Sequence, residues 1–198
     1  MKRLKAILVL IAMSLTSFSA IASDIAVDGI YYDFDSENKT AIVTYRGYNS
    51  VSYSNEYTGD VVILAKVTYE GVEYAVTAIG EWAFYDCPGL TSITIPEGVT
   101  AIANSAFEDC SGLTSITIPE SVTAIGWCAF DGCSGLTSII SLNTTPPSCD
   151  GSYVFDYVDK SIPLYVPKES VDSYKSAQCW SKFTNIVGNM VRLTIMML

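Results

Sequence analysis

Six cysteines are the most reactive side chains of this 198-residue chain, and histidine is absent. Without an imidazole there is no Ser-His-Asp or Cys-His nucleophile, no HExxH zinc site and no imidazole switch. The cysteines divide by spacing. Cys87, Cys110 and Cys133 recur at intervals of 23, as members of a repeated slot do. Such a column reads as small buried hydrophobes, against the sharper alternative of a redox or metal row. Cys128, Cys149 and Cys179 are irregular; they can include one bridge, and the partners stay open. No CxxC and no zinc spacing occurs. Glu97 and Glu120 also recur, and two carboxylates can serve a glycosidase, but nothing marks this pair as buried or suitably separated. Asp33-x-Asp35-x-Glu37 begins like a calcium loop. Asn38 stands where that loop needs Gly and Thr44 where it needs Glu, so the segment reads as a turn. The expectation is no catalytic residue, no metal ligand and no cofactor.

What positions these residues is a repeat. Val76-Thr77-Ala78-Ile79 returns as Val99-Thr100-Ala101-Ile102 and as Val122-Thr123-Ala124-Ile125. Ala83-Phe84 returns as Ala106-Phe107 and Ala129-Phe130, and Gly89-Leu90-Thr91-Ser92-Ile93 returns at 112–116 and 135–139. Ile93 and Ile95 are two apart and share one side of a strand; Ser92 and Thr94 take the other. Pro96 ends the strand. Ala106, Phe107 and Cys110 are spaced as one tight helical turn facing inward. One such coil cannot bury its apolar side, but coils stacked about 4.8 Å apart can. The Phe84, Phe107 and Phe130 column is therefore core. The fold expected is a mostly β solenoid: repeats at 76–141, an N-terminal β cap with a degenerate first rung at 23–75, and a mixed α/β C-terminal cap at 142–189.

The units fade at both ends. Gly29–Phe34 and Ala41–Tyr45 read as strands joined by a turn at 35–39, and Tyr69–Tyr74 reads as a hairpin. Val61-Val62-Ile63-Leu64 sits where Ile93-Thr94-Ile95-Pro96 sits. Downstream, Thr145-Pro146-Pro147 breaks the pattern. Leu164–Val166 makes a last strand, and Val171, Tyr174, Trp180 and Phe183 line the apolar side of helical pieces.

Lys2, Arg3 and Lys5 precede the apolar run Ala6–Met13 and the small residues Ala20 and Ala22. This is the layout of a secretory signal peptide over 1–22, with cleavage near Ala22, and it implies a secreted, cell-surface or periplasmic protein. Without those three cations the balance is 8 basic against 21 acidic residues, or −13. No basic stripe remains for a phosphate backbone, so nucleic acid is not a partner. The apolar tail at 190–198 is too short to span a membrane. An edge strand, a partner contact and a distorted gene end all remain open for it.

The signature Ile-Gly-x-x-Ala-Phe-x-x-Cys-x-x-Leu-Thr-Ser-Ile-Thr-Ile-Pro-x-x-Val-Thr-x-Ile runs from Ile79 to Ile102, again with Ala103 for Gly to Ile125, and in part to Ile139. At these residues the chain resembles the BspA-like leucine-rich repeat family of secreted or surface bacterial proteins. The segment from Leu164 to Ile186 looks like the family's terminal cap, and Gly29–Tyr74 is similar to its N-terminal β cap. The resemblance implies adhesion or recognition of proteins or other surface macromolecules, with no catalytic residues. The chain departs from the family in having about three full repeats and in Ser141-Leu142 replacing Ile-Pro.

Two surfaces are candidates for binding. The outward strand positions are Ser92, Thr94, Ser115, Thr117, Ser138 and Ile140. A Tyr-, Ser- and Asn-rich stretch supplies Tyr45, Tyr48, Tyr53 and Tyr57, whose alternative reading is cross-strand pairing inside the β cap. The reading favoured is an exported, non-enzymatic recognition module. The alternatives are a structural or docking component of the cell envelope and, more distantly, a carboxylate-based hydrolase.

Overall fold

The computed structural model describes residues 25–46 and 56–189. The segment 1–22 expected as a signal peptide, the 190–198 tail, Tyr48 and Tyr53 lie outside them. In chain order the strands are β1 (Ala26–Val27), β2 (Ile30–Asp35), β3 (Thr40–Thr44), β4 (Gly59–Val62), β5 (Lys66–Tyr69), β6 (Val72–Ile79) and β7 (Leu90–Thr94). There follow β8 (Ala101–Ile102), β9 (Ser115–Ile118), β10 (Ala124–Ile125), β11 (Ser138–Ser141), β12 (Ser148–Cys149) and β13 (Leu164–Pro167). Helix α1 (Val171–Ser176) and strand β14 (Ile186–Asn189) complete them.

The repeat period becomes a ladder. Ala78 pairs with Ala101 and Ala101 with Ala124, parallel, one coil apart. On the opposite side of each coil Ser115 pairs with Ser138 and Ile116 with Ile139, also parallel. The long strands form a β4–β7 pair and a β9-β11-β13-β14 sheet, and the short strands continue through β6 and β3 into the N-terminal hairpins. The recurring threonines hold the coils together. Thr114 and Thr137 donate Oγ1–H to the carbonyls of Thr91 and Thr114, and Thr100 and Thr123 do the same to Thr77 and Thr100.

The third side of each coil departs from the expected helical turn. Residues 104–109 form successive turns with φ of +53° at Ser105 and +61° at Asp109, and equivalent values stand at Trp82, Asp86, Cys128 and Gly132. Two left-handed residues per coil interrupt any α-helix. The amides they release point along the stack: Phe84 N–H donates to Ala106 C=O, Phe107 to Ala129 and Phe130 to Val154. The apolar side still faces in, with Ala106, Phe107 and Cys110 fully buried. The coils approach so closely that a Cβ on Gly112 would lie 2.1 Å from the Pro88 carbonyl oxygen, so that slot excludes every other residue.

The phenyl column runs further than the repeat. Phe84, Phe107, Phe130 and Phe155 stack at 5.0, 5.2 and 5.4 Å with rings within 5° of parallel. Tilted rings close it at both ends, Tyr57 over Phe84 and Trp180 over Phe155. The Thr145-Pro146-Pro147 interruption thus does not end the stacking. Cys149 pairs with Ile125 and Leu164 with Ile139, in a coil whose phenyl positions, Phe130 and Phe155, are 25 apart. Two extra residues and Val154 in place of Ala hide that coil from a search at 23.

Ser141 occupies the column of Ile118, its ladder partner. Its hydroxyl lies 2.7 Å from Tyr174 Oη and donates to Asn143 Oδ1 at 3.0 Å. Asn143 Nδ2 donates to the carbonyls of Glu120 and Val122, and Tyr174 O–H donates to Asn143 C=O. The replacement of Ile-Pro by Ser-Leu is therefore where the C-terminal segment docks. The irregular cysteines resolve here too: Cys149 on β12 bridges Cys179 beside Trp180, and Cys128 is a free buried thiol.

Candidate functional site

Alternation along the long strands aims every second side chain outward, and register aligns those side chains into rows. One row holds Ser92, aligned with Asp60 on β4, and Ser115 aligned with Ser138. The next row aligns Thr94 with Val62, Thr117 with Ile140, Ile140 with Tyr165 and Tyr165 with Val187. Thr94 and Ser115 are exposed, and Ser92, Thr117, Ser138 and Ile140 are half-buried by their neighbours. The structure brings all six expected positions onto one surface.

Extension of the register adds residues that reading three repeats did not include. Asp60 accepts from Ser92 Oγ at 2.6 Å and Thr91 Oγ1 at 3.0 Å, and these bonds hold its carboxyl below the ordinary range. Val62 and Leu64 are exposed at the N-terminal end of the face, and Leu142, Tyr165 and Val187 are half-buried at the other. The alternation of Leu164-Tyr165-Val166 carried the signal for Tyr165. The surface is hydroxyl-rich in the middle, carries the Asp60 carboxylate beside exposed Val62 and Leu64 at one end, and is apolar at the other.

Of the four tyrosines expected on a binding surface, Tyr45 and Tyr57 are corrected, and Tyr48 and Tyr53 lie outside the described residues. Tyr57 is buried in the ring column, and its hydroxyl accepts the Tyr31 N–H at 3.2 Å. Tyr45 is buried with its ring 6.3 Å from Trp82. Both serve packing, because aromatic rings best close the open end of the stack. Neither offers a surface to a partner.

The thiol column has a specific bonding role. Cys110 Sγ–H donates to Phe84 C=O and Cys133 Sγ–H to Phe107 C=O, each at 3.0 Å. Burial pushes both thiols well above the ordinary range, which leaves them protonated as donors and poor as nucleophiles. Glu97 and Glu120 are exposed rather than set in a cleft. Asp35 closes the β2–β3 turn by accepting the Glu37 and Asn38 amides. Among the described residues no cluster of three or more Cys, Asp or Glu suits a metal, and no helix is long and apolar enough to cross a membrane.

The description BspA type Leucine rich repeat region matches residues 66–187, in six copies. The chain belongs to the BspA-type leucine-rich repeat family. A leucine-rich repeat protein from Bacteroides ovatus, solved as a crystal structure, is 32% identical over 84% of this chain, with a TM-score of 0.60. The chain spans 38% of that protein's length. One from Bacteroides capillosus is 26% identical, covers 72% of this chain and 96% of its own, and superposes with a TM-score of 0.57. The Treponema pallidum leucine-rich repeat protein, 18% identical over 85% of this chain and 83% of its own, shares the fold at a TM-score of 0.54. No curated protein matches the chain. The matched region extends beyond the three full repeats on both sides and spans the segment that holds Phe155.

Proposed function

We propose that this BspA-type chain is an exported, non-enzymatic recognition module that binds proteins or other surface macromolecules through the strand face of its solenoid. One observation carries the reading: the outward rows align into a surface with hydroxyls at its centre, apolar residues toward each end and one carboxylate, Asp60, at the N-terminal end. Hydroxyls can donate and accept without the desolvation cost of a charge, and the apolar ends supply area that leaves water on contact. The leader-like first 22 residues support export. A β-cap tyrosine surface is not part of the proposal.

The test is capture from extracellular-matrix and cell-envelope fractions by the immobilised chain. Thr94→Arg with Ser115→Arg, both at exposed positions of the face, is expected to abolish capture while shifting the melting temperature by less than about 2 °C, as exposed substitutions do. Capture that survives both arginines would remove the strand face as the site.

A further inference from the structure

Strand β4 leaves one side of its backbone unused. Gly59 N–H donates to Gly89 C=O and Ile63 N–H to Thr94 C=O, so the odd-numbered residues face β7. Alternate residues of a parallel strand bond opposite neighbours, and Asp60 and Val62 therefore turn their amides and carbonyls the other way. Among the described residues no strand pairs with β4 on that side. The side chains there are correspondingly uncovered. Val62 is 58% exposed and Leu64 48%. On the inward side Val61 is half-buried, whereas Ile93, aligned with it, and Ile116 and Ile139 deeper in the stack are buried. One more strand completes an open edge of this kind.

The chain carries a strand of the repeat's own pattern for which the stack has no coil. Leu193-Thr194-Ile195 has the inward-outward-inward order of Ile93-Thr94-Ile95 and Ile116-Thr117-Ile118. Arg192, on the outward side of that alternation, is the one cation of residues 190–198. Asp60 is the carboxylate of the outward side of β4. Reach decides which copy the two belong to. The pairs β4–β7, β9–β11, β11–β13 and β13–β14, with β7 beside β9, set β4 five strand spacings from β14, or about 24 Å. The three residues after Asn189 span at most about 11 Å, so Arg192 cannot meet Asp60 of its own chain.

We propose that residues 191–196 of one copy of this chain add as a strand to the open edge of β4 on a second copy. Leu193 and Ile195 then turn to the column that Val61 leaves half covered, and Arg192 takes the side of Asp60. Pattern and charge together select this occupant. Each added copy brings a further open β4, so the association runs head to tail. It is independent of what the strand face binds.

The probe is a fluorescent peptide of residues 190–198, titrated by anisotropy. The receiver is the full chain carrying Leu193→Lys with Ile195→Lys, whose own segment cannot compete. The peptide binds, and a scrambled peptide of the same composition does not. Val62→Pro in the receiver removes an outward amide that β7 does not use and weakens binding at least about ten-fold. Asp60→Arg weakens it about two- to five-fold, and a peptide with Arg192→Asp recovers that loss. Circular dichroism confirms the fold of each receiver, and the charge exchange serves as the test if Val62→Pro fails to fold. In sedimentation, the mass of the parent chain rises with concentration and that of the lysine variant does not. The proposal is overturned if the peptide fails to bind or the scrambled peptide binds equally well. It is equally overturned if folded Val62→Pro and Asp60→Arg receivers bind like the parent, as they would if the segment docked on β14, or if the lysine variant associates as the parent does.

Discussion

At the residue scale, a thiol in this chain works as a hydrogen-bond donor. The Phe84 and Phe107 carbonyls lie in the dry interior, where a lost partner costs about 1–3 kcal/mol. Cys110 and Cys133 supply the S–H. Composition alone suggests that Cys110→Ser would be costly by adding a polar group to the core, but the structure places an acceptor within reach. Cys110→Val should therefore lose about 1–3 kcal/mol in urea denaturation, and Cys110→Ser should lose less. Equal losses would mean that the thiol only fills space. Glu108 supplies a second residue-level test. Desolvation raises its carboxyl, a hydrogen bond with Ser105 works against that, and Asp131 and Asp109 reinforce it. With the folded value above the unfolded one, protonation favours the fold. The stabilising contribution is full below about pH 4 and is lost as pH rises through the raised value. Glu108→Gln should accordingly melt higher than the parent at pH 7, and the gap should close below about pH 4.

At the element scale, the ends of the stack decide how a short array stays folded. The N-terminal hairpins place Tyr57 over the first phenyl, and the C-terminal segment places Trp180 over the last. That segment is held by the Ser141–Asn143–Tyr174 network and by the Cys149–Cys179 bridge, which closes a sequence separation of 30. Loss of the bridge in Cys149→Ala with Cys179→Ala should cost about 3–4 kcal/mol by the loop-entropy estimate. Asn143→Ala should cost about 1–3 kcal/mol, because it removes the side-chain donor to the buried Val122 carbonyl and one of the two hydrogen-bond partners of the Ser141 hydroxyl. Chemical denaturation of both variants reads these values; a bridge variant as stable as the parent would show the C-terminal segment docked by packing alone. The central coils could be read from the chain because each aligned residue repeats the same contact, so Ile116, Phe107 and Cys110 announce their burial by recurrence. The end contacts occur once each. Tyr57 above Phe84, Ser141 against Tyr174 and Phe155 two residues out of phase have no period, so only three-dimensional packing reveals them.

At the scale of the whole molecule, the coils present chemically different sides. The long-strand side carries hydroxyls between ends that are apolar apart from Asp60, and the turn edge carries rings and carboxylates. The six outward strand residues were visible in the repeat because strand alternation fixes their side. The tyrosines were not assignable, because Tyr suits both a strand interior and a binding surface, and burial separates the two. Recognition through the strand face requires that face to be rigid. Rigidity rests on the sealed column behind it, where Ile116, Ile139, Phe107 and Phe130 are excluded from water.

Native-state thiol labelling tests that column most directly. Cys110 and Cys133 should react with a soluble thiol reagent only as fast as the whole chain unfolds, with one shared dependence on urea. Rapid labelling of either cysteine in native buffer, while the chain remains folded by circular dichroism, would contradict the stacked and sealed coils.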